Sequence, residues 1–248
     1  MRDNPVLRES VAVFFVEGQG FQVYFYLLVI LAPIHFLALY LPSLDVQAWT
    51  GSAGLFKVTS VTMLLLIVYF SLRVANQEFS PWRFKPLRRW VMDEGLPIIT
   101  ISRGQLAFVG LHILCSILLC LPFLVWAAAI ARTRAVSVAG TIALLLFYAA
   151  VYSIWGLASL VLWERRAENR QVFIRSFFFG LLLVSGLFYL PLNPVAYLLA
   201  YLGHQDLAAL NVAGWSAPAN WVHFTFHILL GGAGLATYRW ALRRELAA

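Results

Sequence analysis

Two stretches of the sequence carry residue types whose spacing permits chemistry. In the first, Trp221-Val222-His223-Phe224-Thr225-Phe226-His227, the imidazoles of His223 and His227 stand four residues apart and so share one face of a helix. A haem or a metal ion can use such a pair, with His35 and His112 on other apolar runs. Polar packing between helices uses it equally well. In the second, Asp93-Glu94-Gly95 leads through Ile98, Ile99 and Thr100 to Ser102 and Arg103. A short apolar element flanked by acid and base suits docking into a groove on a partner, and the plain alternative is a polar linker.

Other chemistries lack their residues. No phosphate-cradling glycine loop is present, so the chain does not bind ATP through a Walker-type motif. Its serines, histidines and acids form no recognisable nucleophile setting. The carboxylates all fall at or beyond the ends of apolar runs. A proton- or sodium-coupled carrier commonly keeps such groups in mid-membrane, where they are costly and retained for function. Cys115 and Cys120, five apart in one apolar run, lack metal-ligand spacing and read as small core residues. The expectation is no catalytic residue, no metal and no cofactor bound by the chain itself.

The elements that must position these residues follow from composition. Of 248 residues, 62% are hydrophobic and 12% charged, with a mean hydropathy of +0.81. A soluble chain averages about 45–50% apolar and about 25% charged, so the bulk of this one belongs in lipid. A single all-α membrane domain, 1–248, is expected. Its first 20 residues read as a mildly amphipathic helix in the interface, with Val6, Leu7, Val11, Phe14 and Phe15 on one side and Asn4-Pro5 as its start. Spans are expected over about 21–41, 56–75, 106–130, 138–163, 172–190 and 221–240, each matching a hydrocarbon core of roughly 30 Å. The first apolar run is long enough to remain as a span rather than act as a cleaved signal.

The net charge of +7 is spread over span ends, not gathered into a face for nucleic acid. With an even span count, 15 of the 18 lysines and arginines fall on one side, and Lys57, Arg132 and Arg134 lie opposite. Both termini are therefore expected in the cytoplasm, as is the loop 76–105. The outer region 191–220 holds two short apolar pieces, 195–202 and 207–212, after the breaker Pro191-Leu192-Asn193-Pro194. They read as helices dipping into the outer leaflet, or else as a surface loop. Trp49, Trp215 and Trp221 on one side and Trp82, Trp90, Trp163 and Trp240 on the other suit interfacial belts. Gly231, Gly232 and Gly234 offer a small-residue face, for packing within the chain or for a dimer seam.

This layout resembles the ABC-2 family of exporter permeases. In that family the loop before the third span carries an acid-Gly-Thr-Leu-rich segment, then Thr-Pro-Leu-Ser-Arg, and forms the coupling helix that contacts the ATPase. Glu94-Gly95 and Thr100-Ile101-Ser102-Arg103 stand in those places, with Ile101 where the family has proline and Gly110 nearest its later Gly-Lys. The stretch Leu192–Leu198 looks like the family's short segment after the fifth span. The resemblance implies a permease subunit in a bacterial-type inner membrane, surrounded by lipid and paired with a second permease subunit, identical or not. A separate cytoplasmic ABC ATPase would hold ATP and magnesium and would push on Glu94, Gly95, Ile98, Ile99, Thr100, Ser102 and Arg103. A pathway with few charges suits a hydrophobic or amphipathic cargo. Two other readings stay open: a haem- or quinone-associated membrane subunit built on His223 and His227, and a non-transporting membrane scaffold.

Overall fold

The computed structural model describes residues 4–41, 51–79, 83–212 and 215–247. Arg2, Trp49, Trp82 and the side chain of Trp215, used above for topology and the belts, lie outside what is described. Nine α-helices are present among the described residues: α1 Pro5–Val11, α2 Gln19–Tyr40, α3 Gly51–Ala75, α4 Leu87–Met92, α5 Ile98–Ile130, α6 Ala135–Leu162, α7 Ala167–Phe188, α8 Pro194–Gly203 and α9 Ala219–Ala247. Five of them (α2, α3, α5, α6 and α7) are long and apolar enough to cross a membrane. The chain is thus mostly helical and suited to a membrane, as the composition required. The sixth expected span is α9, which is long enough at 29 residues but less apolar than the five.

Helix α3 occupies the centre, packed against α2, α5 and α6, and α9 lies on the far side of α6. The buried core follows these contacts, from Leu64, Ile67 and Leu72 on α3 to Tyr148 and Tyr152 on α6. The outer surfaces of α2 and α7 remain apolar and open, with Phe21, Leu37, Val172, Leu183 and Leu187 all exposed. Such faces are stable only against lipid or another apolar surface. Gly231 and Gly234 turn toward Val151 and Trp155 of α6, so that part of the small-residue face serves packing within the chain.

The first helix starts where expected. Asn4 caps it, accepting hydrogen bonds from the backbone N–H groups of Val6 and Leu7 at 3.0 and 3.1 Å. A single π-helical turn, Ala12–Val16, then aims Phe14 at Phe108 and His112 of α5. Its apolar side therefore packs on protein.

Three local expectations are corrected. No separate helix covers the loop before the third span from Glu94 to Gln105. Helix α5 begins at Ile98 and runs for 33 residues to Ile130, because the next proline after Pro97 is Pro122, deep in the helix, where one backbone hydrogen bond is lost without ending it. Of the two outer pieces, 195–202 lies in α8. The piece 207–212 instead ends in a strand, β1 (Leu210–Val212), paired antiparallel with β2 (Trp215–Ala217). The hairpin satisfies the backbone groups of this piece by cross-strand pairing. Finally, Trp90 is buried beneath Lys85, whose ammonium lies 4.6 Å from its ring centre, so it is no part of a belt.

Candidate functional site

The loop after α3, the loop after α6, the N-terminal helix and the end of α9 meet at one end of the bundle. Backbone N–H groups of Lys85 and Leu87 donate to the carboxylates of Glu9 and Glu164, at 2.7 and 2.6 Å. Partial burial pushes the Glu9 carboxyl above the usual carboxylate range, against the pull of the Lys85 N–H and ammonium. Lys57, Arg132 and Arg134 gather instead around a separate cavity with His204. These three lie apart from the basic residues of the first end.

Seven residues of the second sequence constellation, from Glu94 to Arg103, can be placed at the first of these ends. Gly95 ends α4 in the left-handed conformation (φ +62°), donating to the carbonyl of Val91. A side chain there is strained, which gives this glycine a purely conformational reason to be present. Glu94 pairs with the ammonium of Lys85. Thr100 presents its carbonyl to the side-chain amide of Asn4, which donates at 2.7 Å. One turn further on, Gly104 lets α1 approach until an added Cβ would meet Asn4 Oδ1 at 2.6 Å and Val6 Cβ at 2.9 Å.

The remaining four residues come together. Ile98, Ile99, Ser102 and Arg103 line one groove with Leu106 of α5 and with Arg239 and Arg243 of α9, enclosing about 380 Å³. The α5 residues recur at positions that share one helix face, and Arg239 and Arg243 lie four apart on another. The Tyr238 hydroxyl fixes the two helices together by donating to Gln105 Oε1 at 2.5 Å. Sequence reading missed the two arginines of α9 because their partner surface lies more than 130 residues away along the chain.

Between α3 and α7 lies a buried charge cluster that the sequence did not reveal. Glu78, only 4% exposed in its side chain, takes Arg73 at 2.8 Å and Arg175 at 3.6 Å. Arg170 is also buried, and its Nε has no hydrogen-bond partner. Asn76 adds an accepting Oδ1 to the Ser159 hydroxyl at 3.1 Å.

The histidine pair forms a different kind of constellation at the other end. His223 and His227 are fully buried. The Nδ1–H of His223 donates to the carbonyl of Pro191 at 2.5 Å, and that of His227 to the carbonyl of His223 at 2.9 Å. A carbonyl can only accept, so both Nδ1 atoms carry protons. Each Nε2 then receives a tyrosine hydroxyl, Tyr148 at 2.6 Å and Tyr152 at 3.4 Å. Tyr197 stacks on His223 with ring centres 3.9 Å apart. All four imidazole nitrogens are thereby engaged, and no group of three or more metal-binding side chains occurs among the described residues. An iron or other metal needs a free nitrogen lone pair, so this arrangement does not fit a ligand pair.

The anchor for Pro191 is built locally. Tyr189 and Leu190 enter a 3₁₀ turn, Leu190–Leu192, and Asn193 caps α8 through Val195 and Ala196 while its amide donates back to Leu182 of α7 at 2.9 Å. Asparagine followed by proline at the first helical position is a strong helix start. One sequence signal for the tyrosines existed: Tyr148 and Tyr152 have the same four-residue spacing as the histidines they meet. Compared with protein-family models, curated proteins and solved structures, the chain matches none.

Proposed function

We propose that this chain is the membrane-spanning permease subunit of an ATP-binding cassette exporter. In this reading α9 is the sixth span, α8 lies in the outer leaflet, α1 lies along the inner interface, and both termini face the cytoplasm of a bacterial-type inner membrane. A separate cytoplasmic ATPase binds and hydrolyses ATP with magnesium, and a second permease subunit, identical or not, completes the complex. The cargo is hydrophobic or amphipathic.

The observation that carries the reading is the continuity of α5. At 33 residues it is about 50 Å long, against roughly 30 Å of hydrocarbon. Its first turns, Ile98 to Arg103, therefore project from the membrane while its remainder crosses it. A push on those turns is delivered directly into the span, whose proline, Pro122, lies much further along the helix, and the Asn4–Thr100 bond delivers it to α1 as well. Rigid-body tilting of a span is how transporters of many kinds alternate access.

Co-purification with an ATP-hydrolysing subunit tests the proposal. The unaltered chain is expected to retain such a subunit, and replacement of Glu94–Arg103 by a glycine-serine linker is expected to release it. Retention of the ATPase after the replacement would remove the coupling role. Absence of any ATPase from the unaltered chain would remove the exporter assignment.

A further inference from the structure

We infer that the groove between the start of α5 and the end of α9 is a two-helix docking site for an acidic, apolar-tipped segment of a partner protein. In the exporter reading, on which this inference rests, that segment belongs to the ATPase. Arg239 and Arg243 then form half of the docking site, although they lie far from the loop before the third span.

Charge complementarity selects the partner's chemistry. Arg103, Arg239 and Arg243 bring three guanidiniums to one groove, and none of the residues lining it is acidic. Nor do these three arginines form an ion pair with any carboxylate whose side chain is described, which leaves out Glu245. Some basic side chains at this end do have acidic partners, Lys85 with Glu94, Arg83 with Glu17 and Arg73 with Glu78, while Arg88, Arg89 and Arg165 line a cavity that holds Asp93 and Glu164. The groove of α5 and α9 has arginines and no carboxylate. Guanidiniums bind carboxylates through paired, directional hydrogen bonds, so an acidic segment is the natural complement.

The order of residues along α5 separates a protein from a lipid. An anionic lipid places its phosphate at the water side and its chains on the membrane side. Here Ile98 and Ile99 open the helix, Arg103 comes one turn deeper, and Leu106 deeper still. An isoleucine pair outside the arginine, with Ile99 58% exposed, has no lipid chain to cover it. A partner side chain can cover it: an apolar tip seated on Ile98 and Ile99, with carboxylates reaching inward to the arginines.

The test uses the full chain in nanodiscs of neutral phosphatidylcholine and short fluorescent peptides as probes. One peptide carries glutamates around a central leucine-phenylalanine pair, a second has lysines for the glutamates, and a third has serines for the apolar pair. The acidic apolar peptide is expected to bind best, with affinity falling as salt rises. Arg239→Glu/Arg243→Glu is expected to weaken it by at least about tenfold, and Ile98→Ser/Ile99→Ser to weaken it as well. Equal binding to the charge-reversed chain, or equal binding of the lysine peptide, overturns the proposal. So does full displacement by phosphatidylglycerol added to the nanodiscs, which would assign the groove to lipid. Because Ile99, Arg239 and Arg243 are exposed and Ile98 is only partly buried, the variants should fold, and unchanged thermal unfolding verifies this. If Arg239→Glu/Arg243→Glu retains a co-purifying ATPase, the groove is not its dock and the exporter reading stands. If no ATPase accompanies the unaltered chain but the peptide still binds, the exporter reading falls and the groove stands.

Discussion

Two glycines on one helix should respond oppositely to the same substitution. Gly104 and Gly110 both lie inside α5, where exchange for alanine by itself favours the helix by about 1 kcal/mol. A Cβ at Gly110 meets nothing within 4 Å, so Gly110→Ala should raise stability by about 0.5–1 kcal/mol. At Gly104 the added carbon would sit 2.6 Å from Asn4 Oδ1, 2.9 Å from Val6 Cβ and 3.1 Å from the Leu7 nitrogen. Helix α1 must then retreat by most of an ångström. Its retreat strains the Asn4 cap, which contributes about 1 kcal/mol, and the Asn4–Thr100 hydrogen bond, which contributes about 1 kcal/mol more. Overpacking adds a further cost of about 1–3 kcal/mol, partly relieved by the movement. After the helix-propensity gain is set against these losses, Gly104→Ala should lower stability by about 1–2 kcal/mol. Thermal unfolding in detergent reports the sign, and hydrogen exchange reports the place. Amide protection over residues 4–16 should fall by roughly tenfold in Gly104→Ala and stay unchanged in Gly110→Ala. If both variants gain stability and residues 4–16 keep their protection, α1 does not bear on α5 at this crossing, and the path from the loop to α1 proposed above is lost.

Three further outcomes follow from the polar contacts. Glu9 has its carboxyl raised by burial, so its ionised form is the less favourable one in the fold. Stability from this group is full below the ordinary carboxylate range and is lost as pH rises through the raised value; Glu9→Gln should therefore be slightly more stable than the parent at pH 7 and equal to it in acid, read by melting temperature across pH. Glu78→Gln removes the one charge between Arg73 and Arg175 beneath the surface, and should lower stability by about 3 kcal/mol with local exchange rising at the end of α3; a change within a few tenths of a kcal/mol would mean that solvent reaches the cluster. Tyr148→Phe leaves the Nε2 of His223 buried without a donor and should cost about 1–2 kcal/mol. Combined with His223→Leu it should show a coupling energy above about 0.5 kcal/mol in a double-mutant cycle, and additive losses would deny that the two side chains interact.

Much of the scaffold was legible because lipid imposes a single rule, that apolar runs of a given length form helices. Spans placed at about 56–75 and 138–163 lie within a few residues of α3 and α6 at both ends for this reason. The start of α5 escaped the same rule. Ile98 to Gln105 is too polar to be counted into a span, yet helix continuation depends on backbone hydrogen bonds and not on hydropathy, so α5 extends to Pro97. At the docking end, the α5 half of the groove could be read from acid, isoleucines and base in sequence. The α9 half could not, since Arg239 and Arg243 read locally as ordinary topogenic charges. The histidine cluster shows the opposite pattern: spacing gave its helix face correctly, but whether the nitrogens were free or occupied depended on Pro191, Tyr148 and Tyr152, which are distant in sequence.

These contacts also constrain which parts of the chain can move together. Helix α5 is tied near its start to α1 through Thr100 and to α9 through Gln105 and Tyr238. Helix α9 is in turn tied to α6 by Trp155, whose indole N–H donates to the carbonyl of Leu230, and by the tyrosine–histidine contacts nearer its start. His223 carries this connection on to Pro191, at the end of α7, so α5, α9, α6 and the outer turn are linked by polar contacts that cost energy to break. In the exporter reading a push on Ile98 to Arg103 therefore reaches the outer turn through at least two of these helices. Helix α7, whose apolar flank stays open and whose outer end is held by Asn193 and Leu182, is positioned to tilt as the element that turn drags with it. Cutting the link at His223 should then leave ATPase docking intact while uncoupling it from movement of α7. Spin labels at Leu183 and at the exposed Trp221 measure that movement directly: in His223→Leu their separation should no longer respond to ATP. If the response survives, the outer turn is driven by some other contact.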